Sequence, residues 1–190
     1  MNKFPIANLQ VDIQRYTSKN NGVPAIIITT GHTIDDSNYN YVDLKNLIIK
    51  NKQIGHIVFL CEPLQFSDEL INLLDYLNDL NLLYHEITIE SYGSYPPLNI
   101  TSKQYFIKTY NLKLNPTQKY SSEILRKYSC RPFGVQFNFI YTDKDCVENI
   151  LDIIDTNYIS MDNTTIIDYR GYLEDISKLC IEYGWRYNYN

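Results

Sequence analysis

Apolar positions along this chain follow two rhythms, short β-branched runs and longer stretches at helical spacing. Pro24 to Thr30 (PAIIITT) is a run of the kind that forms a buried strand. Tyr41 to Asn51 sets Val42, Leu44, Leu47, Ile48 and Ile49 at helical spacing, and Gly55 to Leu60 (GHIVFL) predicts a second buried strand. Ser67 is the expected N-cap of the next helix, with Asp68 and Glu69 favourably placed against its dipole. Leu70, Leu73, Leu74, Leu77 and Leu80 form the apolar stripe of that helix.

Further strands are predicted over Leu82 to Glu90 and Tyr105 to Thr109, then a polar helix over Ser121 to Tyr128. Val135 to Tyr141 (VQFNFIY) alternates cleanly and predicts a fifth strand. Thr142 to Asp145 reads as a capping box opening a helix from Asp143 to about Asp155. Tyr158 to Met161 is the expected sixth strand, and Tyr169 to Tyr183 the last helix, ending at Gly184. Trp185 to Tyr189 returns as a short final strand. Strands alternating with amphipathic helices imply βα units on a mainly parallel sheet. Six or so units fall short of a closed eight-fold barrel, so the expected class is α/β, a partial, open βα barrel. Without linker or repeat, residues 1–190 read as one domain.

Composition adds exclusions. A net charge of −5 and the lack of any Lys/Arg stripe argue against nucleic acid as a main partner. No run approaches the roughly 18 apolar residues of a membrane span, and the polar N-terminus does not read as a signal peptide, so a cytoplasmic protein without a membrane partner is expected. Cys61, Cys130, Cys146 and Cys180 are too far apart for a CxxC pair and read as free, buried thiols. His56 and His85 read as structural histidines.

Four segments, in order, resemble the radical-SAM 7-carboxy-7-deazaguanine synthases. Ile13-Gln14, then Gly22-Val23-Pro24-Ala25 and the strand to Gly31, resemble the family's approach to its cluster loop. Phe59 to Gln65 (FLCEPLQ) is similar to the family's Gly-Gly-Glu-Pro-Leu motif, and Ile89 to Ser94 (IESYGS) to its Glu-Thr-Asn-Gly segment. Val135 to Tyr141 and Tyr183 to Tyr187 (YGWRY) resemble the family's closing strand, helix and Gly-(aromatic)-Arg-(aromatic) end. Tyr110 to Lys113 stands where the family has Ser-Pro-Lys.

The resemblance implies a [4Fe–4S] cluster held by CxxxCxxC, S-adenosylmethionine on its unique iron, Mg²⁺, and a homodimer. Soft thiolates hold such iron. In the matching loop, however, His32, Asp36 and Tyr39 stand at the three cysteine positions. Leu60 and Cys61 replace the glycine pair that admits the cofactor, and Tyr41 falls near the Mg²⁺ ligand. No cofactor, cluster or resident metal is therefore expected, and no catalytic residue is assigned.

Glu62, Glu90 and Lys113 remain as candidate ligand-binding residues of a vestigial pocket. The expected function is that of a catalytically degenerate homologue, leaning away from an enzyme, that binds a protein partner, a second copy, or a purine- or pterin-like ligand. Two alternatives stay open. One is a working enzyme of deazaguanine metabolism or a metal-dependent one, with His32, Asp35 and Asp36 as an altered metal set. The other is a structural or assembly protein on the same scaffold.

Overall fold

β-branched runs buried on both faces become the centre of the sheet, and the helical stripes cover it. In a computed structural model, the described residues are 3–13, 23–31, 39–82, 86–99, 107–131, 134–168 and 173–189. The elements are β1 (Ile6–Ile13), β2 (Pro24–Thr30), α1 (Tyr41–Lys50), β3 (His56–Leu60), α2 (Ser67–Asp79), β4 (Glu86–Ser91), β5 (Ile107–Leu114), α3 (Ser122–Ser129), β6 (Val135–Tyr141), α4 (Cys146–Asn157), β7 (Thr164–Asp168), α5 (Leu173–Tyr183) and β8 (Arg186–Tyr189). Eight strands enter the sheet in chain order. β1 is antiparallel to β2, whereas β2, β3 and β4 run parallel, as do β6, β7 and β8.

The chain divides into two compact units. The first comprises Met1–Gln14, Gly22–Ser91 and Leu98–Tyr110. Its register sets Ile26, Ile57 and Ile87 in one row and Ile28, Phe59 and Ile89 in the next, on one sheet face. All six are buried, as are Leu44 and Ile48 of α1 and Leu70, Leu73, Leu74 and Leu77 of α2. Sheet face and helix stripes exclude water together, at about 1.5–3 kcal/mol for each large side chain. α1 starts at a capping box, Asn40 accepting from the amides of Val42 and Asp43 while Asp43 accepts from the Asn40 amide.

The second unit holds Arg15–Asn21, Tyr92–Pro97 and Asn111–Asn190. Phe137, Phe139, Ile166 and Tyr141 are buried on one face of β6 and β7. Gln136 and Asn138, on the other face of β6, are just as deeply buried. Tyr183 stacks on Trp185 at 4.8 Å, and the indole N–H points to Met161 Sδ at 3.1 Å. Gly184 between them has φ +69°, as a helix-ending glycine should.

Several expectations need correction. Strand β1 was not predicted, because a bulge between Ile6 and Asn8 shifts the phase of its alternation. The sixth strand lies at Thr164–Asp168, not Tyr158–Met161: Tyr158 is the left-handed cap of α4 at φ +55°. Ser67 does not cap α2, and α4 starts at Cys146 without the expected capping box; the Asp143 carboxylate instead accepts the Cys146 amide at 3.1 Å. β5 extends beyond the expected Thr109 to Leu114, and the expected start at Tyr105 lies outside the described residues. All four cysteines are free, but only Cys146 is buried; Cys61 and Cys130 are exposed and Cys180 is half-buried. Among the described residues no helix is long and apolar enough to cross a membrane.

Candidate functional site

β3 ends at Leu60, and the next two residues leave the strand with positive φ, 63° at Cys61 and 56° at Glu62. Neither is glycine, and an L side chain in the left-handed region costs about 1–2 kcal/mol per residue. A reciprocal tie to β4 opposes that cost. The Cys61 amide donates to Glu90 Oε1 at 3.3 Å, and the Ser91 hydroxyl donates to Glu62 Oε1 at 2.9 Å. The Glu62 carbonyl then accepts the Gln65 amide at 3.1 Å, closing the short turn Pro63–Phe66.

Glu62 and Glu90 are thus brought together at neighbouring C-terminal strand ends, only 8% and 2% exposed. A carboxylate so far out of water needs donors, and charge-assisted hydrogen bonds are the strong kind. The observed donors are a backbone amide and a serine hydroxyl of the scaffold itself. Ser91 was not singled out from the sequence, although a Glu-Ser pair at a strand end beside Glu-Pro at the next was the available signal.

His56 and Thr88, both buried, share a 2.8 Å hydrogen bond between Nε2 and Oγ1, the structural role expected of His56. His85 lies outside the described residues.

The chain leaves β2 at Gly31, whose φ of +136° suits only glycine. The Gly31 amide donates to Pro5 O at 3.3 Å, and the Tyr39 amide to Ile6 O at 3.0 Å. The Tyr39 side chain, expected at the place of a cluster cysteine, is 41% exposed. His32, Asp35 and Asp36 lie outside the described residues. Tyr41 accepts the Phe4 amide at 2.9 Å, and burial pushes its phenol above the ordinary range. Among the described residues no three His, Cys, Asp or Glu side chains come together.

Lys113 is half-buried on β5 and belongs to the second unit. Near it in sequence, Asn111 takes part in a buried amide cluster that sequence reading did not pick out. Asn138 Nδ2 donates to Asn111 Oδ1 and, at 3.2 Å, to the Leu112 carbonyl. Gly93, from the segment similar to Glu-Thr-Asn-Gly, has φ +76°, and a Cβ there would lie 2.9 Å from Leu114 Cδ2. That glycine is fixed by both backbone and space.

Among solved structures, the crystal structure of QueE from Escherichia coli matches this chain with a TM-score of 0.71, over 99% of this chain and 94% of that one, at 14% sequence identity. No protein-family model matches the chain, and no curated protein matches it in sequence. At 14% identity the likeness carries the fold, and it agrees with the α/β, partial βα-barrel class expected from the order of elements.

Proposed function

We propose that this chain is a non-catalytic relative of the radical-SAM 7-carboxy-7-deazaguanine synthases that acts by binding. The observation that carries the reading is a QueE-like fold over 99% of the chain whose loop after β2 has His32, Asp36 and Tyr39 at the three cysteine positions. One imidazole, one carboxylate and one phenol do not fit a four-iron cube, which needs soft thiolates.

The geometry of Glu62 and Glu90 supports a protein partner, or a second copy of the chain, over a purine- or pterin-like ligand at those strand ends. Both carboxylates hydrogen-bond the scaffold and are nearly closed to solvent. Anaerobic reconstitution with iron and sulfide should give no absorbance near roughly 400 nm, the region of thiolate-ligated clusters. A stoichiometric cubane would overturn the proposal. Light scattering, with a thermal-shift screen of purines, pterins and S-adenosylmethionine, separates the two modes, because a ligand binding only the native state raises Tm. A self-associating protein with no Tm shift supports the partner mode; a saturable shift moves the reading to the small ligand.

A further inference from the structure

We draw no further inference here: the strongest candidate, the exposed apolar pair Val11 and Ile13 on the edge strand β1, carries nothing because nothing in the structure shows what covers it.

Discussion

Both units bury carboxylates at strand ends, Glu62 and Glu90 in the first and Asp168 in the second, but among the described residues only the second also buries carboxamides within its strands. In the first, carboxylates sit at the C-terminal ends of β3 and β4, where Glu62 and Glu90 meet a turn amide and a serine hydroxyl. In the second, neutral amides sit within the strands, where Asn138 reaches sideways to Asn111 and the Leu112 carbonyl. The difference follows from available donors. A strand end opens onto amides that the ladder no longer uses, which suit an anion; a strand body offers only lateral partners, which suit a side chain that both donates and accepts.

The largest expected effect checks that the apolar faces of the two units are equivalent despite this contrast. Phe59→Ala and Phe139→Ala should each lower unfolding free energy by about 3–5 kcal/mol in urea titrations, since both rings are fully buried. A loss below about 1 kcal/mol in either would mean that its core collapses around the gap.

Next, Asn138→Ala should cost about 2–3 kcal/mol and Ser91→Ala about 1–2, because water more readily replaces a donor at a strand end. The reverse order would break the comparison between strand body and strand end.

Smaller again is a glycine exchange with opposite signs. Gly93→Ala should destabilise by about 1–3 kcal/mol through its positive φ and the short approach to Leu114. Cys61→Gly should stabilise by up to about 1 kcal/mol by relieving a left-handed side chain. A destabilised Cys61→Gly would show that the thiol makes contacts worth more than the strain.

The smallest effect is alkaline. Burial raises the phenol pKa of Tyr41 in the first unit and of Tyr120 in the second. The folded state then holds its protons more tightly than the unfolded one. The resulting stability is fully present below the ordinary phenol value of about 10 and is lost as pH rises through the raised values. Tyr41→Phe and Tyr120→Phe should each flatten the alkaline limb of stability against pH. An unchanged limb in both variants would assign it to other groups.

Sequence patterning disclosed most of the frame. β2 and β6 fall at their predicted boundaries, because β-branched or aromatic runs fit a pleated surface. β1 escaped because one extra residue at its bulge throws Ile6 out of phase with Leu9, Val11 and Ile13. The alternation of Val135 to Tyr141 located a strand correctly but did not show what its polar positions do. In a sheet covered on both faces, Gln136 and Asn138 point into protein instead of water. Of the candidate site, the Glu62–Glu90 neighbourhood was legible because both follow recognisable strands. The Ser91 and Cys61 amide partners were not, since they depend on which strands lie side by side and on a backbone turn that no residue type at Cys61 or Glu62 advertises.

The stretch after β2 is moored by the amides of Gly31 and Tyr39 to the carbonyls of Pro5 and Ile6. Both moorings are main chain to main chain, so they place no demand on which side chains stand between them. A different side chain at Tyr39 therefore leaves the bond from its amide to Ile6 intact, and the strand keeps that tie whatever side chain the position carries.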